Sequence, residues 1–133
     1  MALQLSTAIR NAMLDAIEST TGASARLRIR TGAPPANPAA ARTGTVLADI
    51  TLPADWMAAA ASGAKALAGS WVDAAADATG TAGHFEIMDS SLTTCHQQGT
   101  YGTSATDMIG DSVNFTAGQN FQVLTYGFTA PNA

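Results

Sequence analysis

Cys95 and His96, adjacent in the chain with His84 upstream, are the side chains best suited to chemistry. A thiol beside an imidazole is the pairing of a nucleophile with its base, and Cys and His are also zinc ligands. Both uses meet the same obstacle. Thr93 to Tyr101 reads as a strand, on which neighbouring side chains leave opposite faces, so Cys95 and His96 do not converge. With one Cys and two His in all, there are too few ligands for a recurrent zinc spacing. Cys95 is expected as a small buried apolar group, and both histidines as polar positions on a solvated face or an interface. The carboxylates are scattered. Asp73 and Asp77 would be neighbours only on a helix. No glycine spacing matches a phosphate loop or a dinucleotide fingerprint. No catalytic, cofactor-binding or metal-binding residue is therefore assigned, no cofactor is expected, and the chain is read as not an enzyme.

The unusual charge feature is the row Arg26, Arg28 and Arg30, which holds three of the six basic residues. On a strand these three share one face, a positive ridge about 13 Å long by strand rise. It reads either as a solvated sheet face or as a docking surface for an acidic protein neighbour, where Arg pairs bidentately with carboxylates. Pro34, Pro35 and Pro38 in the following loop are the companion partner-binding candidates. Proline stiffens a loop and lowers the entropy lost on docking, so the loop is expected to reach away from the core. Nucleic acid is not an expected partner: Lys+Arg is 6 against Asp+Glu 10, the net charge is −4, and no aromatics interleave with the arginines.

These side chains need elements to hold them. The 133 residues fit one domain, 1–133, with 47% hydrophobic but only 12% charged residues, about half the usual charged share. The apolar excess is methyl groups, with 29 Ala and 17 Thr against 6% aromatics. No apolar run is long enough to span a membrane. The N-terminus lacks the cationic head of a secretory signal, and production in the cytoplasm is the expectation. Leu5, Ile9, Ala12, Met13, Ala16 and Ile17 form an apolar stripe at helical spacing, with Arg10, Asp15 and Glu18 on or near the other side. The spacing predicts a helix over 5–21, capped by Ser6 or Thr7 and ended by Gly22. Its stripe is expected to dock on its own domain or on a neighbouring subunit.

From residue 25 to 133 the chain reads as a β-rich body. Leu27 and Ile29 alternate with the arginines, residues 31–44 form an exposed loop, and Val46, Ala48, Ile50 and Leu52 alternate again. Pro53 to Ala61 is predicted as a short helix from its Ala run, with a short strand after it. Further on, Phe85 and Ile87 point inward and His84 and Glu86 outward. Thr93–Tyr101 returns beside them, and Phe121–Thr129 is a long last strand. The fold class is mainly β: a single β-sandwich or open-barrel-like domain with an N-terminal amphipathic α-helix.

In order along the chain, LSTAIRNAMLDAI (5–17), LRIRTGAPP (27–35), TGTVLADITLP (43–53), TGTAGHFEIMDS (79–90), CHQQGT (95–100) and FTAGQNFQVLTYGFT (115–129) resemble small virion structural proteins of tailed bacteriophages. The resemblance implies a non-enzymatic particle component in many copies. It would be a capsid decoration or cement protein bound to the major capsid protein or another virion protein, a homo-oligomer located in the virion. Head-fibre, head–tail and tail positions are alternatives within that group. Outside it stands a carbohydrate-binding or adhesive β module, in which Trp56, Trp71, Tyr101 and Tyr126 would stack on sugars.

Overall fold

The computed structural model describes residues 3–130. The elements run α1 (Thr7–Thr21), β1 (Arg26–Thr31), β2 (Val46–Thr51), β3 (Ala64–Ala66), β4 (Val72–Asp73), β5 (Gly80–Met88), β6 (Cys95–Gly102), β7 (Met108–Gly110), β8 (Asn114–Phe115) and β9 (Phe121–Thr129). The strands form one curled open sheet, a half-barrel, in the order β2-β1-β5-β6-β7-β9-β3, with β4 on β9 and β8 on β5. Neighbours are antiparallel except β6 and β7. The mainly β fold with one N-terminal helix is as the sequence predicts.

The concave side holds the core. Leu27 and Ile29 are buried there, as their alternation requires. On β2 the buried set is Leu47, Ala48 and Ile50, followed by Leu52 just past its end, with Val46 only half-buried. The register shift between Ile29 and Arg30 explains the change of phase at Val46, because a bulge moves one side chain to the other face. Trp56, Trp71, Tyr126, Phe85 and Phe128 pack ring to ring through the centre, at centroid separations of 5.1 to 6.0 Å. Trp56 Nε1 donates to Gly22 O at 2.9 Å and Trp71 Nε1 to Ala68 O at 3.2 Å, so neither indole N–H is orphaned by burial.

Residues 53–61 are not helical. Met57 and Ala61 bridge to Leu67 and Ala64, making an extended hairpin that turns at Ser62 (φ 51°) and Gly63 (φ 74°). Two successive positive-φ residues give a turn whose twist suits flanking strands. Ala propensity is weak beside burial of Trp56 and Met57, both fully enclosed.

The helix forms where expected. Ser6 Oγ accepts from Ile9 N at 3.2 Å, and Gly22 (φ 95°) ends the helix with its N–H on Glu18 O at 2.9 Å. Of the two dockings expected for the stripe, the one on its own domain does not hold for its middle, although Leu5 and Ile17 at its ends are half-buried. Ile9 and Met13 are 50% and 53% exposed, and the polar side faces the body. Asn11 Oδ1, Asp15 Oδ1 and Glu18 Oε2 accept the backbone N–H groups of Gly63, Ala60 and Met57, each at 2.9 Å. Leu14 is the large apolar residue of α1 that is buried. The physical reason is the hairpin's outer edge: its N–H groups need acceptors, and α1 supplies them. The far edge is covered as well. Asp73 Oδ2 accepts from Asp49 N at 3.3 Å, and Asp77 N donates to Leu47 O at 2.7 Å.

Candidate functional site

The convex face of β1, β5 and β6 carries the polar groups. Arg26, Arg28 and Arg30 do lie together on that face of β1, as alternation predicts, but they are not an unanswered ridge. Asp49 stands opposite Arg28 in the register. Its Oδ1 lies 2.8 Å from Arg26 Nη2 and its Oδ2 3.2 Å from Arg28 Nε. Arg30 is buried, its Nε 2.7 Å from Glu86 Oε1, and its Nη1 donates to Gly44 O at 3.1 Å. The row's charge is thus met by carboxylates of the same chain. A strand period reports which face a side chain takes, not what covers it.

The cover is the 31–44 loop. Instead of reaching away from the core, it lies back across β5 and β6, held by Arg42. The Arg42 Nη1 atom contacts Glu86 Oε2 at 3.3 Å, Gln98 Oε1 at 3.1 Å and Cys95 Sγ at 3.3 Å. Its Nη2 donates to the carbonyls of Asn37 and Pro38 at 3.1 Å and Ala40 at 2.8 Å. Gln98 Nε2 adds a bond to Pro35 O at 2.7 Å. Pro34 and Pro35 are half-buried by this docking, while Pro38 is exposed. Glu86 and His84, expected outward and solvated, are outward but completely buried. His84 Nδ1 donates to Gly32 O at 2.9 Å, and its Nε2 is buried without a partner among the described residues.

Cys95 and His96 separate as the strand reading requires. Cys95 sits under the loop, whereas His96 lines a groove beside α1 with Met13, Ile17 and Phe128. Burial pushes the Cys95 thiol up, against the lowering influence of Arg42, which is the wrong direction for a thiolate nucleophile. A second polar cluster lies at the other end. Lys65 Nζ, with its side chain 1% exposed, meets Asp15 at 2.7 Å, Glu18 at 3.1 Å and Ala58 O at 2.8 Å. Burial pulls the Lys65 ammonium down, but hydrogen bonds to Asp15 and Glu18 outweigh it and hold it above its ordinary value. The Lys65 hydrogen bond, then the Ala60 N–H, hold Asp15 low.

Arg42, Glu86, Gln98 and Lys65 were not singled out by spacing. The available signal was an isolated Glu inside a strand facing the arginine row, followed through the loop by one more Arg. In both clusters the charges are paired among the described residues: Arg30 and Arg42 with Glu86, and Lys65 with Asp15 and Glu18, of which Asp15 stays half-exposed. No group of three or more His, Cys, Asp or Glu is placed to hold a metal ion among the described residues. The aromatic candidates for sugar stacking are enclosed, with Trp56 and Trp71 at 0% exposure and Tyr101 and Tyr126 at 3% and 4%. No protein family, curated protein or solved structure matches this chain. What the surface does offer is α1, whose outward apolar residues Ile9 and Met13 are half-exposed among the described residues.

Proposed function

We propose that this chain is a non-enzymatic structural subunit of a tailed-phage particle, a capsid decoration or cement protein seated on the major capsid lattice, with head-fibre, head–tail or tail positions as the alternatives. The phage assignment rests on the resemblance of the six sequence stretches. The observation that carries the subunit reading is the outward apolar side of α1. Its polar side meets the body, so Ile9 and Met13 stay half-exposed, and exposed apolar patches mark protein contact sites. The charged side chains of β1 and the loop are engaged within the chain, which leaves burial of small apolar surface as the means of association. An Ala- and Thr-rich surface favours that mode, because small side chains lose little rotamer entropy when buried.

The test is attachment. Tagged protein mixed with purified particles of the encoding phage should co-sediment with them and appear in the particles' own protein profile. Ile9→Glu should reduce attachment while leaving the thermal midpoint unchanged. A protein that never accompanies particles removes this reading.

A further inference from the structure

We propose that residues 33–43 form a flap that lifts off the sheet as one unit while the body stays folded, opening the Cys95 thiol to solvent. The flap ends at Gly32 (φ 79°) and Gly44 (φ 77°), both in the left-handed region that glycine takes without strain. The two glycines stand on a closed base. Thr31 N donates to Thr45 O at 3.1 Å, and Thr45 N to Thr31 Oγ1 at 2.9 Å. Each end is also anchored to the sheet, Gly32 O by His84 Nδ1 at 2.9 Å and Gly44 O by Arg30 Nη1 at 3.1 Å. With the base fixed on both sides, motion is confined to what lies between the glycines.

That segment is tied to itself more than to the body. Ala39 N donates to Asn37 Oδ1 at 2.9 Å and Ala40 N to Asn37 O at 3.1 Å. Arg42 spans the same turn, with Nη2 on the carbonyls of Asn37, Pro38 and Ala40. Among the described residues, no backbone–backbone hydrogen bond joins 33–43 to the rest of the chain. None of these residues is buried, and none belongs to the hydrophobic core. What holds the flap down is Arg42 Nη1 on Glu86, Gln98 and Cys95, and Gln98 Nε2 on Pro35 O, with Pro34, Pro35 and Ala40 half-buried beneath it.

Lifting it leaves no buried charge alone. Glu86 keeps Arg30 Nε at 2.7 Å, and Arg42 leaves with the flap into water. An uncompensated buried ion is what makes breaking such a pair expensive, and here there is none. Segments that bury few apolar contacts open well below the cost of global unfolding. The closed flap walls in the chain's one cysteine: residues 38–42 line the groove on Cys95, and Arg42 Nη1 lies 3.3 Å from its Sγ. The flap is a gate on that thiol.

Labelling of Cys95 in the full chain by an aromatic disulfide reagent, at one mildly alkaline pH and over urea concentrations below the unfolding transition, tests this. The parent should react more slowly than the urea-unfolded chain. Its rate should be nearly flat in urea, because flap opening exposes little surface, and should be read while the fluorescence of Trp56 and Trp71 is still native. Gln98→Met keeps the volume and removes two flap bonds, to Arg42 Nη1 and to Pro35 O. It should speed labelling about tenfold, the loss of hydrogen bonds of ordinary strength, and the rate should stay flat. Gln98→Ala gives the same reading in case the methionine variant does not fold. A rate that climbs with urea in step with global unfolding overturns the proposal, because the flap then opens only with the body. A rate indifferent to both Gln98 variants overturns it too, because the thiol is then reached past a closed flap.

Discussion

Replacing Glu86 by Gln isolates what holds the loop over the sheet. The substitution keeps the volume and removes the charge from a completely buried side chain. Two ion pairs end, to Arg30 Nε at 2.7 Å and Arg42 Nη1 at 3.3 Å. With side chains 11% and 16% exposed, the two guanidiniums recover little hydration. Removing one partner of a buried pair destabilises by about 3–5 kcal/mol. The Gln carbonyl still accepts one hydrogen bond, worth about 1 kcal/mol, which brings the expected loss to about 2–4 kcal/mol. For a chain of this length that is a fall of about 10 °C in Tm. Urea unfolding followed by the fluorescence of Trp56 and Trp71, both fully buried, measures the global term. Trypsin cleavage after Arg42 measures the local one, since a guanidinium bonded to three loop carbonyls is a poor substrate until the loop lifts. Glu86→Gln should be cleaved much faster than the parent under native conditions. The triple variant Arg30→Met, Arg42→Met, Glu86→Leu should regain much of the global stability, because no charge is left buried alone. A loss below about 1 kcal/mol, with Arg42 as protected as before, would refute the reasoning.

Three further outcomes are expected. Asp15 is held below its ordinary 3.8, so its contribution is present above that value and is lost as pH falls through the lower, folded one; Asp15→Asn should lower the thermal midpoint at neutral pH, and the difference should close in strong acid. Asp77 has the opposite sign, because burial and then the charges of Asp73 and Asp49 raise it; ionisation disfavours the folded state, so Asp77→Asn should raise the midpoint at neutral pH and leave it unchanged below pH 3.8. Arg28→Glu sets a carboxylate against Asp49, now 3.2 Å from Arg28 Nε, and should lower the midpoint, more so at low salt, as a thermal melt at two ionic strengths will read.

The strand pattern was legible where one face is apolar and alternation is strict. Leu27 and Ile29 against the arginines, and Phe85 and Ile87 on β5, fall where a period of two puts them. Helix α1 and both its caps were equally plain. Its docking was not, because hydrophobic periodicity weighs side chains and is blind to backbone N–H groups seeking acceptors. Asn11, Asp15 and Glu18 answer a need that arises from residues 57–63, far along the chain. The same blindness hid Glu86. Alternation gives its face correctly, but the cover comes from a loop whose Ala, Asn and Pro content has no packing pattern and is held by polar side chains, Arg42 with the most bonds and Gln98, Arg30 and His84 beside it. The Ala run of 58–61 misled for a related reason: local preference of a few tenths of a kcal/mol per residue, about the spread among ordinary residues, yields to the burial of Trp56 and Met57.

An open sheet has two outer strands, and each is a template on which a strand of another molecule can grow. Here both are answered from within, by α1 along the 57–63 hairpin and by Asp73 and Asp77 along β2. Molecules of this chain can therefore be crowded without their backbones recognising one another, and contact is left to side-chain faces, which are reversible and selective. The protection depends on a few acceptors. A chain carrying Asn11→Ala, Asp15→Ala and Glu18→Ala would bare the hairpin edge beside a flat, Ala-rich surface, and its failure should be fibre growth on storage rather than simple unfolding.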